Sequence, residues 1–196
     1  MSFEGRLVCL RARSLSDVEK FTEWFNDPEV TQFVGNAFPA ISPERERELV
    51  EGWLDDPHAF SIETRGGQLI GNCHLFRVDL RQRTAELGIV IGDKAFWGQG
   101  YGTDAITLLL SYAFEHLGLH RVELHYLAFN RRAREAYEKC GFVEEGRRRE
   151  AVFIRGQWVD SILMSILERE WREHHPAHPE QDDDKGAPAT GGGVRQ

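Results

Sequence analysis

A chain of 196 residues, 41% hydrophobic and 29% charged, is sized for one soluble domain around a single core. Its net charge of −8 argues against nucleic acid as the main ligand, which needs an excess of Lys and Arg; it suits cationic substrates such as amines, and equally plain solubility. No run approaches the roughly 20 apolar residues that cross a bilayer, and Glu4, Arg6, Arg11 and Arg13 break up the start, which lacks the apolar core expected of a signal peptide; a cytoplasmic protein is the expectation.

Residues 6–12 alternate apolar and polar and predict a first strand. Ser16-Asp17-Val18-Glu19 has capping-box spacing and opens a helix whose inward stripe is Val18, Phe21, Trp24 and Phe25. Ser42-Pro43 opens a second helix, with Leu49, Val50, Trp53 and Leu54 expected inward. Three strands follow at about 59–65, 68–80 and 83–91. Gly66-Gly67 joins the first two as a hairpin pair in which both positions tolerate positive φ.

A glycine-rich loop, 98–102, then leads into a helix over about 103–117, with Ile106, Leu109, Leu110, Ala113 and Leu117 at helical spacing. A strand near 120–128 and a helix near 131–140 come next. Two strands near 142–154 and 157–167, joined by Arg155-Gly156, end the folded pattern. The domain is expected over 1–173. Residues 174–196 hold three prolines, an Asp182-Asp183-Asp184 run, a Gly191-Gly192-Gly193 run and almost no large apolar side chain, which predicts a disordered tail. Cys9, Cys73 and Cys140 each sit in an apolar segment without metal-ligand spacing, so they read as buried, reduced thiols and no metal site is assigned.

The chemistry concentrates in the glycine loop. Amides at a helix start point outward at the positive end of its dipole, and glycines let a phosphate come close to them. A diphosphate ligand is the physical implication; a tight turn with no ligand is the other reading. Gly100-Tyr101-Gly102-Thr103-Asp104-Ala105 fits the dinucleotide pattern G-x-G-x-x-[GA]. That pattern belongs after the first strand of a parallel βαβ series, whereas here it follows hairpin-like strands.

The loop more closely resembles that of the GNAT (Gcn5-related) N-acetyltransferase superfamily, [QR]-x-x-G-x-[GA]. Gly100 and Gly102 take its glycine places, and Trp97 stands where Gln or Arg is usual. The order β-α-α-β-β-β-α-β-α-β-β matches too, as does N-R-R-A-R-E-A-Y-E-K-C-G-F from Asn130 to Phe142. Asn26-Asp27-Pro28-Glu29-Val30, Phe96 to Gly102 and Glu168-Arg169-Glu170-Trp171 look like the ribosomal-protein-alanine acetyltransferase branch. Ala133 departs from it, standing where that branch has a serine that some members are thought to use as their acid. The resemblance covers residues 7–171.

It implies an α/β (α+β) fold with a mixed, mostly antiparallel sheet of about seven strands and helices on both faces. It implies an acyltransferase that moves an acetyl group from acetyl-CoA, as co-substrate and without metal, to a primary amine of a peptide or protein N-terminus or a small molecule. The coenzyme's pantetheine arm would lie between the 83–91 and 120–128 strands, with Gly88 as a bulge opening the gap and Val90 and Ile91 facing the arm. Gly98, Gln99, Gly100, Tyr101, Gly102 and Thr103 would face the pyrophosphate, with Asn130 as a further coenzyme contact. Tyr137 matches the tyrosine that protonates the leaving thiolate in many relatives; it also reads as core, on one helix face with Ala133, Ala136 and Cys140.

For the base, Glu86 resembles the strand glutamate of the histone-acetyltransferase branch and His125 the base of peptide-N-terminus enzymes, with a water relay as the third route. His74 and His120 carry no motif and are read as structural. The expected partners are acetyl-CoA and an amine acceptor, with no nucleic acid and no membrane, and a homodimer is compatible. Acceptor contacts are expected from residues 31–42 and 147–158. Two other functions stay open at this point: a non-catalytic acyl-CoA-binding sensor, and a nucleotide-dependent oxidoreductase resting on the dinucleotide pattern.

Overall fold

The computed structural model describes residues 2–34 and 40–175. Eight strands make one sheet in the order β1-β2-β3-β4-β5-β6-β8-β7. They are β1 Ser2–Glu4, β2 Val8–Ala12, β3 Ala59–Thr64, β4 Leu69–Asp79, β5 Thr84–Ile91, β6 Arg121–Leu127, β7 Val143–Ile154 and β8 Gln157–Leu167. Every neighbouring pair is antiparallel except β5 with β6. The period-two alternation divides the sheet into two faces. Leu10, Ile62, Cys73, Leu87, Leu124 and Met164 pack with α4 (Tyr101–Ser111) and α5 (Arg131–Lys139) on one of them. The other is covered by a smaller cluster, Val18, Phe21, Trp24, Val30 and Val50, from α1 (Val18–Phe25), α2 (Pro28–Thr31) and α3 (Pro43–Glu51).

Sequence and structure differ where side chains from afar decide the outcome. β1 adds an eighth strand; at three residues it is too short to show a period. Its turn into β2 is held by the Asp104 carboxylate of α4, which accepts from the amides of Leu7 (2.7 Å) and Val8 (3.0 Å). The capping box lies two residues earlier than its expected place, at Ser14 and Asp17, and Glu19 takes no part. Of the residues expected inward from α3, Val50 is buried, but Leu54 is exposed and Glu46 is buried in its stead. At the 64–68 turn only Gly67 is left-handed (φ 82°), since Arg65 and Gly66 make an ordinary turn before it. The helix expected over 103–117 starts at Tyr101 and loosens into a π turn at Tyr112–His116. Cys73 and Cys140 are buried as expected, while Cys9 is half exposed. His174 closes α6 (Glu168–His174), and the His175 ring stacks on Trp171 at 3.7 Å. The rest of the predicted tail, 176–196, lies outside the described residues.

Asp17 ties the two layers together. Its carboxylate receives two bonds from Arg11 (2.8 and 2.7 Å), one from Ser61 Oγ (2.7 Å) and one from the Ser14 amide (3.0 Å). Burial would raise this carboxyl, but those donors outweigh burial and hold it below its ordinary 3.8. A depressed folded-state value adds stability above the unfolded-state value, and the gain is lost as pH falls through the folded one. Asp17→Ala should therefore cost roughly 3 kcal/mol in urea unfolding at neutral pH, since it removes the acceptor of Ser61 and of the Ser14 amide and leaves Arg11 only Glu63 and the Ala12 carbonyl. The gap to the wild type should narrow in acid.

Candidate active site

β5 and β6 run parallel and pair at only three positions, Thr84↔Arg121, Ala85↔Val122 and Glu86↔Glu123. Past Glu86 each strand stays with its outer neighbour, β5 with β4 as far as Ile91 and β6 with β8 as far as Leu127. The sheet therefore forks, and the inner edges of both prongs present backbone groups with no strand between them. An extended ligand that carries amides can satisfy such edges as an added strand would. The cleft in the fork measures about 390 Å³. It is lined by β5 from Glu86 to Ile91, by His125 and Tyr126 of β6, by the glycine loop and by one face of α5.

The loop leaves the start of α4 uncrowded. Gly98 and Gly100 are left-handed (φ 71° and 90°), and Gly100 caps α4. Gly102 is helical, and a Cβ added there would meet only Ile91 Cγ1, at 3.6 Å, so the space above the helix start is open. Gly98, Gly100, Gly102 and Thr103 line the cleft, as do Val90, Ile91 and Asn130. Gln99 and Tyr101 do not line it: the Gln99 amide donates to the Ala95 carbonyl, and the Tyr101 ring packs on Phe96 at 4.9 Å. Those two can offer a ligand only their backbone.

Trp97 has a different task from the Gln or Arg usual at its place. Its indole N–H donates to the Ile91 carbonyl (2.6 Å), and the Arg132 guanidinium lies 3.8 Å from its ring centroid. Arg132 also faces Phe33 at 5.0 Å and makes no ion pair among the described residues. Burial lowers it from its ordinary value, yet an arginine stays charged. The fork thus has a cation beside the glycine loop, contributed by α5. The sequence reading missed it because Arg131 and Arg132 are alike until the helix face is known.

Tyr137 is buried on α5, its ring 5.9 Å from those of Tyr126 and Phe142. It lines the cleft, and among the described residues no group hydrogen-bonds its hydroxyl. Burial, with Cys140 and Tyr126 close by, raises that hydroxyl above its ordinary 10, so it stays protonated. The core reading made from the sequence fits the ring, and the residue also lines the cleft. Asn130 caps α5 by accepting from the Ala133 amide (3.1 Å), which fixes the helix start beside the loop.

Glu86 stands at the branch point and accepts from Arg77 Nη1 at 2.8 Å. His125 follows two residues after Glu123 on the facing prong, so both side chains leave the same sheet face. Its Nδ1 is buried without a partner among the described residues. Gly88 is not the expected bulge: it pairs in register with His74, and a Cβ there would come within 2.5 Å of the Phe76 ring. The bulge is on β4 instead, around Arg77 (φ 46°), which aims Arg77 at Glu86. His120 is exposed outside the cleft, whereas His74 lines it. Of the expected acceptor segments, Phe33 and Val34 line the cleft, and residues 35–39 lie outside the described residues. None of 147–158 lines it, although Arg155 donates to the Pro28 carbonyl at 3.2 Å.

This architecture rules out the dinucleotide reading, because the glycine loop follows an inner strand of a mostly antiparallel sheet. The acetyltransferase (GNAT) domain family matches residues 7–143. The chain belongs to the GNAT acetyltransferase family, acyltransferases that use acetyl-CoA to acetylate amines. The crystal structure of spermidine N-acetyltransferase from Vibrio cholerae, in complex with CoA and spermine, superposes with a TM-score of 0.77 at 31% identity, covering 84% of this chain and 97% of that one. An uncharacterized N-acetyltransferase, p20, of Bacillus licheniformis is 27% identical over 170 residues, 84% of this chain and 94% of its own. The [ribosomal protein uS5]-alanine N-acetyltransferase of Escherichia coli is 31% identical over 85 residues, 43% of each chain. No helix among the described residues is long and apolar enough to cross a membrane.

Proposed function

We propose that the chain acetylates a primary amine, on a peptide or protein N-terminus or on a small molecule, by direct attack of that amine on the thioester of acetyl-CoA held in the fork. The observation that carries this reading is the conjunction of unpaired strand edges, an open helix start and the Tyr137 hydroxyl in one cleft. The fork edges hold the amide-bearing arm, and the amides from Gly98 to Thr103 hold the pyrophosphate with Arg132 as counter-charge. Asn130 sets the start of α5 and thereby the place of Tyr137. Glu86 takes the proton of the attacking amine, with His125 as the alternative on the facing prong. Tyr137 gives a proton to the departing thiolate, which needs one because a bare thiolate returns to the carbonyl readily.

The test is thiol release from acetyl-CoA against a panel of amines that includes polyamines and peptides with free N-termini. Mass spectrometry then identifies which amine gains the acetyl group. Amine-dependent release with an acetylated product is expected. Tight acetyl-CoA binding without release for any amine would replace the enzyme by an acyl-CoA-binding sensor.

A further inference from the structure

His74 lies on β4 directly opposite Gly88, two residues past the branch point. It lines the fork and also a second cavity of about 380 Å³, walled by Arg13, Trp53 and Asp56 among others. Its Nδ1 is 3.5 Å from Arg13 Nη2. A guanidinium can only donate, so Nδ1 is the acceptor and the ring hydrogen of the neutral imidazole sits on Nε2. That Nε2 is buried and has no partner among the described residues. The ring atom between the two nitrogens, Cε1, is 3.5 Å from where a Cβ on Gly88 would lie. The ring's Cε1 corner thus lies next to β5 where the prongs part, with the Phe76 ring beside it.

Arg13 fixes this arrangement. It is only 7% exposed and lies 4.5 Å over the Trp53 ring, with no ion pair among the described residues. Burial and the neighbouring Arg13 charge push His74 down to about 3, so the ring stays a neutral donor at any working pH. A buried donor without a partner costs stability, and such a cost persists in a fold where a ligand supplies the acceptor.

We propose that His74 Nε2–H donates to the acetyl carbonyl oxygen and stabilises the negative charge that grows there as the amine attacks, with Arg13 as its positioning residue. This rests on the acetyl-transfer reading above. In the step, the amine nitrogen bonds to the carbonyl carbon and the C=O π pair moves onto oxygen. The pair then returns, the C–S bond breaks, and the thiolate takes the Tyr137 proton while the base has taken one from nitrogen. His74 keeps its proton throughout, which is what a neutral imidazole does well and an imidazolium does not.

Two experiments test this. His74→Phe keeps a ring and removes the donor, and His74→Gln keeps a donor. The Phe variant should lose about 10²–10³-fold in kcat with acetyl-CoA affinity by calorimetry nearly unchanged, and the Gln variant should recover at least tenfold of that loss. Nitrogen-15 spectra of the wild type should show His74 as the Nε2–H tautomer throughout the neutral range, with its resonance shifting on addition of acetyl-CoA. An Nδ1–H tautomer or an imidazolium overturns the proposal without any variant. So does a His74→Phe enzyme with wild-type kcat, or a Gln variant no better than Phe. A wild type that binds acetyl-CoA and acetylates no amine overturns the parent reading instead.

Discussion

Tyr137→Phe should lower kcat by about 10²–10⁴-fold while acetyl-CoA affinity changes little. The substitution keeps the ring that packs on Tyr126 and Phe142 and removes only an oxygen that has no hydrogen bond among the described residues. In the proposed role the hydroxyl meets the thiolate only in the transition state, so the loss should fall there and not on the ground state. Because burial raises this phenol, it does not titrate at neutral or mildly alkaline pH, and the ratio of wild-type to variant kcat should be flat there. Single-turnover rates with a saturating amine measure it. A near-normal rate would leave Tyr137 as a core ring only.

Gly102→Leu should weaken acetyl-CoA binding by about 100-fold or more, the equivalent of two lost charge-assisted hydrogen bonds at roughly 1.5 kcal/mol each. The choice of glycine matters. Gly100 sits at φ 90°, so any side chain there strains the backbone and confounds affinity with folding. Gly102 is helical, and a Cβ there would make only an ordinary contact with Ile91 Cγ1, at 3.6 Å. Leucine favours a helix over glycine by up to about 1 kcal/mol, so the variant should melt no lower than the wild type while binding less. Opposite signs in Tm and affinity are hard to produce except by filling the cradle. Calorimetry and a melting curve on one sample decide it, and unchanged affinity removes the loop from the binding site.

What the sequence made legible was whatever depends on near neighbours. The strands and helices declared themselves by period, and the loop by glycines at a strand-to-helix junction. Arg132, His74 and Arg77 carry the opposite lesson. Arg132 and His74 acquire their places from partners far along the chain, Trp97 under Arg132 and Arg13 beside His74, and Arg77 acquires its place from an irregularity in its own strand that turns it toward Glu86. His74 was within reach, because strict alternation along β4 puts it on the same sheet face as Asn72 and Phe76. Gly88 shows the reverse error: a glycine in a strand suggests a bulge, but the reason here is the Phe76 ring lying where its side chain would be.

The short β5–β6 ladder also has a mechanical meaning. Five strands lie on one side of it and three on the other, joined within the sheet by three residue pairs. Such a sheet has a seam, and thermal opening of the free protein should begin along it, as a partial unzipping at lower free energy than global unfolding. Amides on the inner edges from Leu87 to Ile91 should then exchange with deuterium early. A molecule lying in the fork stitches the seam, so occupancy should slow that exchange and merge the two sub-sheets into one cooperative unit. The same ligand that is consumed in each turnover would thereby set how rigid the protein is between turnovers.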